Sequence, residues 1–305
     1  MFSIAGCLPV LLAFCGAPLL FSVINRTKAK FAGRRGAPWL QPYFELAKLL
    51  RKSAVYSRTT TPLFTLGPMV SCAATATALL FVPLSGVAPV FAFPGDVLWV
   101  VYLLGTSRFF MVLAALDTGS SFEGMGANRE VFFSALAEPA LLLSLTTLAV
   151  WSQSLSLGGI YGNLGAVVLA PAAGPPLLLV AAALLIVFLA ENARIPVDDP
   201  TTHLELTMIH EVMILDHSGP DFALIQYAAS LRLWLLGSLL VGVVVPWRSA
   251  GLVLNVLAGC TCLFLLAVLT GIIESVMARL RLVRVPEFLI AASVLSIVAL
   301  VLMMR

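Results

Sequence analysis

LLLVAAALLIVFLA, residues 177–190, runs directly into ENARIPVDDPTTHLELTMIHEVMILDH, residues 191–217. The first stretch carries no charge. The second holds six carboxylates and all three histidines of the chain. An apolar run of this kind belongs inside a bilayer-spanning helix if the rest of the chain supplies similar runs. It does. Of 305 residues, 60% are hydrophobic and 11% charged, and the mean hydropathy is +1.03. Soluble domains are nearer half apolar and a quarter charged. The chain therefore reads as an all-α integral membrane protein, a single transmembrane domain over residues 1–305. The question is why charge gathers where the apolar run ends.

A spanning helix needs roughly 20 mostly apolar residues. Eight windows meet this: 2–25, 62–82, 97–116, 131–152, 176–194, 222–245, 251–276 and 286–304. The opening window lacks a basic leader and is long enough to span, so it reads as a helix and not as a cleaved signal. Lys and Arg in the loops set the orientation. Residues 26–61 hold nine of them, and 277–285 hold Arg279, Arg281 and Arg284. The loops at 117–130 and 195–221 lie on the same side, with Arg129 and Arg194 at their edges. On the opposite side, 83–96 and 153–175 have none, and 246–250 has Arg248. The expected arrangement puts both termini outside a prokaryotic inner membrane and the large basic loops in the cytoplasm.

Two loop segments have helical patterns. PYFELAKLLRKS, from Pro42, sets Phe44, Ala47 and Leu50 along one side and Glu45, Lys48, Arg51 and Lys52 on the rest. That is the pattern of an amphipathic helix lying in the membrane interface. In 201–216, Leu204, Met208, Ile209, Val212 and Leu215 recur at helical spacing, which predicts a helix at the mouth of the bundle.

Ionisable side chains inside spans are costly and face cavities or one another. Arg108 lies nine residues from Asp117, and Glu138 eight residues from Glu130. At 1.5 Å per residue both sit roughly 12–14 Å below the basic-side surface, on consecutive antiparallel helices that can bring them together. Glu274, Arg232 and Glu191 add to the basic-side half, while the other half is nearly free of charge. One reading is that these groups are ion pairs holding the bundle together. The other is a polar axis from the inner surface to mid-membrane, able to relay protons through Glu138, Glu191, Asp198, Glu205, Glu211 and Glu274 with Arg108 and Arg232. No matching exit is evident in the outer half, so complete ion passage through this chain alone is not expected.

Several classes are excluded or disfavoured. Cys7, Cys15, Cys72, Cys260 and Cys262 lie in apolar runs without a CxxC pair, so an iron–sulfur cluster or structural zinc is not expected here. His203, His210 and His217 are seven apart. They would share one face of a continuous helix, but metal sites favour closer spacing. There is no GxGxxG, P-loop or Ser–His–Asp order, and no nucleic-acid partner is expected.

AENARIPVDDPTTHLEL, 190–206, resembles the signature loop of subunit 1 of respiratory complex I. GAPWLQPYFELAKLLRK (36–52), ANREVFFSALAEPALLLSL (127–145) and LRLVRVPEFL (280–289) are similar to that family's other cytoplasmic segments, in the same order on an eight-helix frame. PVDDPTTHLELTMIHEVMILDHSG and LDTGSSFEGMGANRE (116–130) look most like the membrane-anchor subunit of group 4 membrane-bound [NiFe] hydrogenases, the formate hydrogenlyase and hydrogenase-4 type. Thr201 and His203 stand where the complex I branch has glutamates, Val197 replaces a Phe, and Gln226 replaces a Glu.

The resemblance implies that this chain holds no cofactor. Hydrogenase large and small subunits would dock on its cytoplasmic loops, carrying the [NiFe] centre and iron–sulfur clusters. A ferredoxin-like iron–sulfur subunit and antiporter-like membrane subunits complete the set of implied partners besides the bilayer. Gln41, Pro42, Arg129 and Arg194 match the family's docking segments. Three other readings stay open: a quinone-reactive complex I subunit, a purely structural anchor, and a stand-alone transporter. The last is disfavoured by the lack of inverted repeats.

Overall fold

The computed structural model describes residues 3–168, 174–198, 208–245 and 251–304. Ten α-helices appear among them: α1 (Cys7–Phe31), α2 (Gln41–Leu50), α3 (Pro62–Leu79), α4 (Asp96–Asp117), α5 (Ser121–Ser152), α6 (Leu157–Val168), α7 (Gly174–Glu191), α8 (Gly219–Val244), α9 (Leu252–Val276) and α10 (Val285–Met303). Eight are long and apolar enough to cross a membrane, namely all but α2 and α6. Each overlaps one of the eight windows expected from the sequence.

The helices surround α8. Its buried face is nearly complete, from Leu231 through Leu240, and it packs against α1, α3, α7 and α9. A helix apolar all round is at home in a packed core as well as in lipid, and here its neighbours enclose it. The core joins Ile24, Leu145, Leu148, Leu231, Leu235, Leu239 and Leu263 with the buried faces of α4 and α7. Small residues bring neighbouring helices close. A Cβ on Gly67 would lie 2.7 Å from that of Ala114 and 3.0 Å from the Phe110 carbonyl oxygen. Packing of small residues is what holds membrane helices together, since lipid tails offer no hydrophobic driving force.

α2 lies across the basic end, packed on α1 and α8, with the Tyr43 hydroxyl donating to the Cys15 carbonyl. Phe44, Ala47 and Leu50 are all exposed, so the apolar stripe faces outward, as an interfacial helix requires. At that end Asp117 also caps α3, accepting from the Thr61 N–H at 2.6 Å and its hydroxyl at 2.8 Å.

Three loop expectations differ. Residues 153–175 are not a simple loop, because α6 begins at Leu157. Asp96, fully buried at the opposite end from the basic loops, accepts from the Leu157 N–H at 2.6 Å and the Ser156 hydroxyl at 2.8 Å, which caps α6. Residues 121–130 are not loop either: α5 begins at Ser121, so Glu123, Arg129 and Glu130 ride on a helix. Finally, the described part of the expected 201–216 helix is not α-helical. Residues 208–216 form bends and one short 3₁₀ turn, Glu211–Ile214. Residues 201–207, with His203 and Glu205, lie outside the described residues.

Candidate functional site

The charged side chains converge at the basic end of the bundle, below the 208–218 segment. Arg108 is the junction. From the middle of α4 its guanidinium reaches Glu138 Oε1 of α5 at 3.0 Å and Glu191 Oε1 at the end of α7 at 2.8 Å. The Arg108 and Glu191 side chains are 8% and 7% exposed, whereas 40% of the Glu138 side chain is exposed. A forked guanidinium suits this position because it serves two carboxylates at once. On the α8 side, Arg232 donates to the Ser107 hydroxyl at 3.4 Å, and Ser107 contacts the Ser71 hydroxyl at 2.7 Å. Arg232 also feels Glu191, Arg108 and Glu130 electrostatically.

Glu130 sits two helical turns from Glu138 and faces His210 Nδ1 at 3.7 Å. Arg108, Glu130, Glu191, Asp198 and His210 line one small cavity of about 20 Å³. That is room for one water, and the walls supply the polar partners a water needs.

Asp198 organises the loop above. One oxygen accepts from Arg279 at 2.8 Å, and the other from the Ile209 and His210 N–H groups at 3.2 Å each. Those backbone bonds replace the ones an α-helix would make, which accounts for the irregular 208–216 path. Arg129 reinforces it by donating to the Met208 carbonyl at 2.9 Å. Gly126 lets the segment lie flat on α5: a Cβ there would fall 2.3 Å from Val212 Cγ1.

A second group lies beside the first. Glu274 near the end of α9 pairs with Arg194 at 3.2 Å and with Lys28 of α1 at 2.8 Å. Arg194 is buried and also stacks over the Phe21 ring at 4.7 Å. It was expected to offer a docking surface, but it braces the loop from within. Gln41 and Pro42 start α2, where the Gln41 side chain donates to Glu45 at 2.9 Å. Glu211 begins the 3₁₀ turn and feels Arg194.

His210 and His217 do not share a helical face, and His203 lies outside the described residues. His210 pairs with Glu130. His217 stacks on Phe64 at 3.9 Å with both ring nitrogens unpaired, and burial pushes its pKa down to about 4. Beside it, the buried carboxyl of Asp221 receives the Tyr56 hydroxyl, and burial with that contact raises the phenol's pKa. Among the described residues no three His, Cys, Asp or Glu side chains are grouped as metal ligands would be.

Sequence reasoning gave Arg108–Glu138 and Glu191 but passed over Glu130, Lys28 and Arg279. Glu130 served only as a depth marker, although it lies on the same helix as Glu138. Lys28 and Arg279 look like ordinary loop cations until the fold sets carboxylates opposite them.

The NADH dehydrogenase family model matches residues 5–304. Formate hydrogenlyase subunit 4 of Escherichia coli (strain K12) is 29% identical over 283 residues, 91% of each chain. Hydrogenase-4 component C of the same organism is 30% identical over 272 residues, 87% of this chain and 84% of that one. An NADH-quinone oxidoreductase subunit of Neisseria meningitidis serogroup C (strain 053442) is 26% identical over 216 residues, 66% of this chain and 58% of its own length. Among solved structures, a chain of the membrane-bound sulfane sulfur reductase, an archaeal respiratory membrane complex, has the same fold. The TM-score is 0.79, over 97% of this chain and 98% of that one, at 20% identity. Matched along nearly its whole length, the chain belongs to the NADH dehydrogenase family, as a complex I subunit 1-like membrane protein.

Proposed function

We propose that this protein is the membrane-anchor and energy-coupling subunit of a membrane-bound [NiFe] hydrogenase complex. Its near relatives in formate hydrogenlyase and hydrogenase-4 support the assignment. The observation that carries the coupling role is the Arg108 junction. It connects the surface segment held by Asp198, through Glu191 and the water-sized cavity, to Glu138 at mid-span.

The basic end faces the cytoplasm and both termini face outside, in line with the distribution of Lys and Arg. Hydrogenase large and small subunits and a ferredoxin-like subunit dock on the basic loops. The [NiFe] centre and iron–sulfur clusters reside in those partners. Antiporter-like membrane subunits lie alongside in the bilayer.

The chemistry is electrostatic. At an effective dielectric of about 20, a unit charge 8 Å from a carboxylate acts with about 2 kcal/mol. That equals about one and a half pKa units, enough to shift a carboxylate that titrates near 7 decisively. The field of an electron arriving in a docked subunit acts on the Glu130, Glu191 and Arg108 cluster, and Arg108 carries the change to Glu138. Glu211, at the start of the 3₁₀ turn, extends the chain toward the docked surface.

The assignment is tested by purifying the protein from its native membrane in mild detergent. Nickel-containing soluble subunits should accompany it in fixed ratio. Isolation with an NADH-oxidising, nickel-free module would overturn the hydrogenase assignment.

A further inference from the structure

We propose that the groove between α4 and α5, at mid-span, is the seat of a transmembrane helix from a neighbouring membrane subunit, and that this helix presents a lysine or arginine to Glu138. The proposal rests on the reading of this chain as one subunit of a larger membrane complex.

The groove is about 300 Å³ and runs along α4 past Leu98, Tyr102, Gly105 and Phe109, with Glu138 and Leu142 of α5 as its other side. Leu98, Tyr102 and Phe109 are strongly exposed, Tyr102 to 70%. Exposed apolar residues on a membrane helix mean little, because lipid covers them. Glu138 is different. Arg108 engages its Oε1, yet 40% of the side chain is exposed, and Oε2 has no hydrogen-bond or ion partner among the described residues. Gly105 leaves the carboxylate uncovered: a Cβ there would stand 3.6 Å from Oε1. Arg108 lies twelve residues into the 22-residue α4, so its partner carboxylate is far from both ends of the span. Hydrocarbon offers no donor there, and an exposed charge at that depth costs several kcal/mol.

Shape and charge name the occupant. From Leu98 to Phe109 the groove extends about 16 Å at 1.5 Å per residue, three turns of a helix. Headgroups do not reach that depth. A second copy packed here would set carboxylate against carboxylate, since the exposed cations of this chain, such as Lys48, Arg51 and Lys52, lie at its basic end. A helix from another membrane subunit, with a long basic side chain at matching depth, supplies the missing donor and closes the groove.

The test places a photoreactive p-benzoylphenylalanine at Tyr102 and, separately, at Leu98 in the intact complex in native membranes. Control probes go at Leu254 of α9 and Val294 of α10. After irradiation, mass spectrometry should find the Tyr102 and Leu98 probes joined to one helix of another membrane subunit that carries a Lys or Arg. The controls should not reach that helix. In a Glu138→Gln background the adduct yield should fall about three- to tenfold, the effect of one interhelical polar contact. Adducts only with lipid, with a second copy, with a soluble subunit or with a helix lacking a basic residue overturn the proposal, as does an unchanged yield in Glu138→Gln. If Glu138→Gln does not assemble, the adduct partners of the otherwise unaltered chain decide. Nickel-containing subunits that still co-purify in any of these cases leave the hydrogenase assignment standing, so the two failures are separable.

Discussion

Arg108 holds two carboxylates from two other helices. Removing one partner of a buried ion pair strands the rest without compensation, at about 3–5 kcal/mol. Arg108→Ala should therefore sharply lower the melting temperature of the detergent-solubilised protein. Arg108→Lys should fall between, because an ammonium cannot fork to both oxygens. Equal melting of Arg108→Ala and the parent would show that the junction adds no stability. His217 makes a different prediction. Above pH 6.5 its ring is neutral both folded and unfolded, and its contribution to stability is complete. As pH falls from about 6.5 to about 4, the unfolded chain takes up the proton while the buried ring resists, so stability is lost. The loss reaches about 3 kcal/mol. Melting curves at pH 7.5 and 4.5 should show a smaller drop for His217→Phe than for the parent. At this scale the sequence was partly legible. Counting residues from the helix ends located Arg108 and Glu138 at one depth. It did not reveal that Glu191 shares the same guanidinium, because that depends on where α7 ends relative to α4.

Among the elements, the spanning helices were plain from hydropathy, because lipid demands apolar side chains and a single segment satisfies its own backbone there only as a helix. The short elements were harder. α6 is apolar but too short to span, and it is held by a cap from Asp96, sixty residues earlier in the chain. Asp96→Ala should cost about 1–2 kcal/mol through the lost cap, read as a lower melting temperature with ion translocation per electron unchanged. The 208–216 segment has helical spacing, but Asp198 captures two of its N–H groups and overrides the periodicity. Gly126 is the contact that keeps this segment on α5. Gly126→Val should lift it, so the soluble subunits are lost from the purified complex while helix content by circular dichroism is retained. Retention of those subunits would mean that the segment is not the docking surface.

For the whole molecule, among the described residues, charge gathers at one end and in the middle of a bundle built around α8, and the opposite half offers hydroxyls, the amides of Gln153, Asn163 and Asn255, and the Asp96 cap. An energy-coupling subunit needs this asymmetry, because it receives a signal at one face and hands it sideways at mid-depth. A scaffold needs only the ion pairs. The two accounts separate at Glu191, which touches Arg108 and lines the water-sized cavity. The decisive measurement is proton or sodium uptake per electron by inverted membrane vesicles holding the Glu191→Gln complex, with hydrogenase turnover followed in the same sample by an artificial dye. The coupling account predicts an assembled complex whose dye-linked turnover persists while ion uptake is lost. Ion uptake equal to that of the unaltered complex would contradict it.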